Sequence, residues 1–98
     1  MPFAECAARS FTVVSIQKNA PEFSGVYGLS NAREWLFVGE SDNIRKNLLE
    51  HYRENGTALK NLMPTGFTFE LCSSTERLMR QKALVRELHP RCRQASTS

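Results

Sequence analysis

His51 and Asn47 lie four residues apart in the run NIRKNLLEH, one turn of a helix. On a helical wheel they share a face with Ile44, Leu48 and Tyr52. They are therefore either polar groups of a cleft or polar members of a packing face, and an imidazole there could move a proton near neutral pH. Gln81 sits in a comparable way within a second apolar stripe, Leu78, Leu84, Val85 and Leu88. Cys6, Cys72 and Cys92 are odd in number, form no CxxC pair and do not cluster with His51 or His89. That pattern argues against a disulfide framework or a closed zinc site, and no metal ligands are assigned.

Basic side chains are the other chemically capable group. The net charge is +3, and it is unevenly placed. Residues 76–93 hold six basic groups (Arg77, Arg80, Lys82, Arg86, Arg91 and Arg93) against Glu76 and Glu87, a balance of +4. Arg45, Lys46 and Arg53 add charge to the preceding helix, where Glu50 and Glu54 offset it. Arg45, Lys46, Lys82, Arg86, Arg91 and Arg93 are the candidate nucleic-acid contacts, and a solvated helix face is the plainer alternative.

The chain of 98 residues has room for a single core, and 41% hydrophobic with 23% charged residues is a globular composition. A domain this small leaves little space for an enclosed cavity, so chemistry belongs in a surface cleft. No apolar run approaches the roughly 18 residues that would span a bilayer. The first nine residues carry Glu5 and lack a basic stretch before an apolar one, so no secretory signal is expected. The expected compartment is a reducing, bacterial-type cytoplasm.

The elements follow from pattern. Residues 11–16 (FTVVSI) read as a strand or extended lead-in, ended at Asn19-Ala20-Pro21. Two strand-like runs, GVYGL (25–29) and WLFVG (35–39), flank the polar stretch 30–34, which reads as a hairpin loop. Ser41 or Asp42 offers a cap for a helix carrying Ile44, Leu48 and Tyr52, and Gly56 would stop it. Residues 57–63 could form one short helix before Pro64. Phe67, Phe69 and Leu71 alternate with polar residues as in a half-buried strand. Ser73 or Ser74, with Glu76 at capping-box distance from Ser73, opens a last helix that Pro90 ends. The expected fold class is α+β, a three-stranded antiparallel sheet flanked by helices. Residues 1–19 form an extended lead-in packed on the domain, 20–93 the domain, and 94–98 a frayed tail.

Gly25-Val26-Tyr27, followed ten residues later by Phe37-Val38-Gly39, resembles the paired motifs of the GIY-YIG endonuclease family. Ala20-Pro21, the run from Gly39 to His51 and LVRELHPR (84–91) agree with that frame. The resemblance implies the family's fold and its site positions: two motif tyrosines, an arginine and then a His or Tyr on the first helix, and a metal-holding glutamate on the last. Here those positions are Tyr27, Phe37, Asn47, His51 and Gln81, and the family's late asparagine corresponds to Arg93. Tyr27 and His51 survive as catalytic-type residues, whereas Phe37, Asn47 and Gln81 are substitutions.

The physical consequence is direct. An amide is a poor Mg²⁺ ligand beside a carboxylate, and Asn47 brings no positive charge to a phosphorane. The expectation is a non-catalytic nuclease-like domain binding DNA weakly and sequence-tolerantly, or a protein partner, with no cofactor. A working endonuclease with relocated residues, requiring Mg²⁺, is the alternative. All five positions are expected on one side of the sheet.

Overall fold

The computed structural model describes residues 8–31, 34–53 and 64–90. In chain order the elements are β1 (Arg9–Ser10), α1 (Val13–Asn19), β2 (Gly25–Ser30), β3 (Trp35–Ser41), α2 (Ile44–Arg53), β4 (Gly66–Leu71) and α3 (Arg77–Leu88). The class is α+β, as expected, but the antiparallel sheet has four strands in the order β1-β4-β2-β3. The added strand pairs Arg9 with Phe67 and Ser10 with Gly66. A two-residue exposed strand has no alternation to read, so the sequence could not announce it.

Residues 11–16 are not a strand. Thr12 keeps an extended backbone, and its hydroxyl accepts the Ser15 N–H, which caps α1. That cap and the burial of Ile16 outweigh the β-branched Val13 and Val14. Asn19 closes the helix by donating to the Ser15 carbonyl.

The β2–β3 hairpin forms as expected, with Asn31 accepting the Glu34 N–H across its mouth. α2 is capped by Asn43 rather than by Ser41 or Asp42: Oδ1 of Asn43 accepts the Lys46 N–H at 3.0 Å. The first two N–H groups of α2 go to carbonyls of the loop between α1 and β2, Ile44 to Phe23 and Arg45 to Pro21. Ile44 and Leu48 are fully buried, each worth about 1.5–3 kcal/mol, whereas Tyr52 stays partly exposed against Phe11.

α3 starts at Arg77, later than expected, and the Ser73–Glu76 capping box does not form. The Ser73 carbonyl accepts the N–H groups of Glu76 and Arg77 in a turn instead. His89 ends the helix in the left-handed conformation, φ 49°, with its N–H on the Val85 carbonyl, and Pro90 follows. Two apolar expectations fail: Leu78 is 51% exposed and Leu71 is 52% exposed. The 57–63 helix, Arg91, Arg93 and the tail lie outside the described residues.

Register assigns the faces. Gly25, Tyr27 and Leu29 stand opposite Ser41, Gly39 and Phe37 on β3, and opposite Leu71, Phe69 and Phe67 on β4. This face packs with Ile16 of α1 and with Ile44 and Leu48 of α2. Val26 and Gly28 stand opposite Glu40 and Val38, and opposite Glu70 and Thr68. That second face takes Leu84 of α3.

Candidate functional site

Two glycines make room for the site. A Cβ on Gly39 would lie 2.7 Å from the Tyr27 ring and its hydroxyl, and 2.8 Å from the Phe37 ring. Tyr27 thus lies across Gly39, directly opposite on the neighbouring strand. A Cβ on Gly25 would meet the Glu70 carbonyl at 2.2 Å and Ile44 at 2.9 Å. Close approach of the two rings at Gly39 and of a backbone carbonyl at Gly25, rather than a turn, requires glycine at both places.

Four of the five expected positions meet along the seam between β3 and α2. The Tyr27 hydroxyl and Nε2 of His51 share a hydrogen bond at 2.8 Å. The Phe37 ring stands 5.0 Å from the His51 ring and 6.0 Å from that of Tyr27. Tyr27 is 2% exposed and Phe37 6%, so both are core residues, while His51 and Asn47 are half-buried. Asn47, one turn before His51, has its Oδ1 against the hydroxyl of Ser41 at the end of β3.

Gln81 does not share that face, which corrects the expectation that all five would. It belongs to α3, on the Val26–Val38 face, and its Nε2 donates to the Val38 carbonyl at 3.2 Å. It comes to the outermost strand from the other side of the sheet. Sequence spacing placed Gln81 in an apolar stripe but could not say which face that stripe would cover.

The basic residues divide. Arg77 pairs with Glu40 at 2.8 Å, and Arg80 grips Glu70 through two contacts, 2.8 and 3.0 Å. Glu40 and Glu70 flank Val26 across three strands, so the two arginines clamp the start of α3 to the sheet. The hydrogen bonds that Arg80 donates to Glu70 hold its guanidinium above its ordinary pKa. Arg45 spends its Nε on the Ala20 carbonyl and reaches Glu22 at 3.6 Å, so its first duty is to fasten α2 to the loop between α1 and β2. Lys46, Lys82 and Arg86 are exposed. These partners were not legible in the sequence.

Other chemistry is sparse among the described residues. No group of three or more His, Cys, Asp or Glu could hold a metal ion. Burial first, then Glu70 and Glu76, push the Cys72 thiol up, which makes it a poor nucleophile. No helix among them is long and apolar enough to cross a membrane.

Comparison with known proteins returns one consistent answer. The chain is 34% identical over 80 residues to UvrABC system protein C of Nitrobacter hamburgensis, covering 76% of this chain and 12% of that protein. The same protein of Rhodopseudomonas palustris matches at 33% over 78 residues, 74% of this chain and 11% of that one. The chain therefore spans a small part of the relatives it matches. Among solved structures, the magnesium-bound GIY-YIG N-terminal endonuclease domain of UvrC from Thermotoga maritima superposes with a TM-score of 0.66. It is 18% identical and covers 78% of this chain and 92% of that domain. A point mutant of that domain, bound to its catalytic divalent cation, gives a TM-score of 0.65 at 20% identity, covering 78% of this chain and 92% of the domain. No family model matches the sequence. The paired motifs, the sheet with its helices and these relatives together make this chain a member of the GIY-YIG endonuclease family.

Proposed function

We propose that this chain is a GIY-YIG domain that holds the nucleic-acid backbone, DNA in the first instance, without hydrolysing it. The observation that supports this most is the state of two of the three substituted positions, Asn47 and Gln81. Each carries a neutral amide already engaged by the protein's own backbone or hydroxyls, Gln81 with the Val38 carbonyl and Asn47 with Ser41. The Thermotoga domain is described as bound to its catalytic divalent cation. Here the residues do not fit such a group, because a hard dication needs anionic oxygen and Gln81 offers one neutral oxygen beside a donating Nε2. No step is therefore derived through a metal. Loss of a charged stabiliser alone commonly costs about 10²–10³ in rate.

The surviving Tyr27–His51 contact favours the rival reading, a working endonuclease that would require Mg²⁺. Yet Tyr27 is 2% exposed and its hydroxyl is held by His51. Lys46, Lys82 and Arg86 are exposed and Asn47 and His51 half-buried, with Arg91 and Arg93 as further candidates outside the described residues. Exposed Phe23, Leu71, Leu78 and Met79 speak for a protein partner instead. The cytoplasm is the compartment that this reading assumes.

Titration of fluorescent single-stranded and duplex DNA at about 50 and 200 mM salt tests the proposal. Neutralising three or four phosphates gives weak affinity with a log–log salt slope near −3. No binding at the lower salt, or binding unaltered by charge reversal at Arg86 and Lys82, would shift the function to protein interaction.

A further inference from the structure

Ser41 ends β3 as a buried hydroxyl, 5% exposed. Its oxygen accepts the Asn43 N–H at 2.9 Å, and its proton goes to Oδ1 of Asn47. A carboxamide is planar, with oxygen and nitrogen diverging from its trigonal carbon. Holding Oδ1 against the strand therefore turns Nδ2 away from it. Among the described residues Nδ2 has no hydrogen-bond partner, and Asn47 is half-buried. Along the same face of β3, Ser41 is two residues beyond Gly39, over which the Tyr27 ring lies. Asn47 and His51, one turn apart on α2, thus both meet β3 along the seam between β3 and α2.

We propose that Ser41 is a positioning residue, aiming the Asn47 amide so that its two N–H donors take the non-bridging oxygens of a nucleic-acid phosphate beside His51. The proposal rests on the DNA-binding reading above. An arginine here would contribute charge, whereas a fixed amide contributes donors without charge. Neutral contacts of this kind fix register on the backbone and displace no counterions, so they add affinity without steepening the salt dependence.

The test combines binding with side-chain NMR on the full chain. In ¹⁵N-labelled protein, the Asn47 side-chain amide signals move when a mixed-sequence single-stranded DNA is added. Ser41→Ala displaces those signals before any DNA is present and weakens binding about 5- to 10-fold at both salts, with the slope unchanged. Ser41→Thr, which keeps the hydroxyl, restores most of the affinity. If Ser41→Ala fails to fold, Asn47→Asp carries the test, since it replaces donors by acceptors and should abolish the neutral contact. Wild-type protein that binds DNA with unmoved Asn47 signals, or Asn47→Asp that binds like wild type, overturns this proposal alone. Wild-type protein that binds no DNA overturns the proposed function and, with it, the role of Ser41.

Discussion

The Tyr27 ring crosses the face of Gly39 on the adjacent strand and ends 2.8 Å from Nε2 of His51. One glycine therefore makes room for the hydrogen bond between Tyr27 and His51. Gly39→Ala would put a methyl 2.7 Å from the ring, forcing Tyr27 or the strand to shift. We expect a loss of about 1–3 kcal/mol in stability and a moved His51 ring signal. Gly66→Ala is the control, because its nearest contact would be an ordinary 3.4 Å. Equal melting temperatures for the two variants would contradict this description of the motif.

At Gln81 the prediction is a conditional destabilisation. Gln81→Glu replaces a donor by an oxygen anion facing the Val38 carbonyl, which should lower stability by about 1–2 kcal/mol in the absence of metal. If the pocket is only eroded, Mg²⁺ or Mn²⁺ should raise the melting temperature of this variant and leave wild type unmoved. A wild-type protein stabilised by millimolar Mg²⁺ would show that Gln81 is no barrier to the cation.

Thr68 offers a gain. Its side-chain oxygen is buried and has no hydrogen-bond partner among the described residues, on the face that α3 covers. Valine has nearly the same shape and no hydroxyl to desolvate, so Thr68→Val should stabilise the domain by about 1 kcal/mol in a chemical denaturation curve. A destabilised variant would mean that the hydroxyl has a partner of its own.

The legible parts of this molecule were those set by local pattern. The two glycine-bearing motifs gave the hairpin, and the spacing of Ile44 and Leu48 gave α2 with its buried face. Tyr27, Phe37, Asn47 and His51 converge because they sit on those adjacent elements. What failed depended on distant contacts or on competition between local signals. α1 was hidden because Val13, Val14 and Ile16 favour a strand, while a single Thr12 hydroxyl decides for a helix. β1 carries two exposed residues and no pattern at all. Leu71 and Leu78 follow the right periodicity but extend past the ends of the packed faces. The face covered by Gln81, and the acids that occupy Arg77 and Arg80, are set by sheet register, which no helical wheel contains.

The central claim is that this domain holds nucleic acid and does not cut it, and a cleavage assay tests this most directly. Supercoiled plasmid and a branched duplex would be incubated with highly purified protein in Mg²⁺ or Mn²⁺, beside a Tyr27→Phe variant. The account predicts intact substrate in every lane, at protein concentrations where DNA is bound. Metal-dependent nicking by the wild-type chain that disappears with Tyr27→Phe would contradict it.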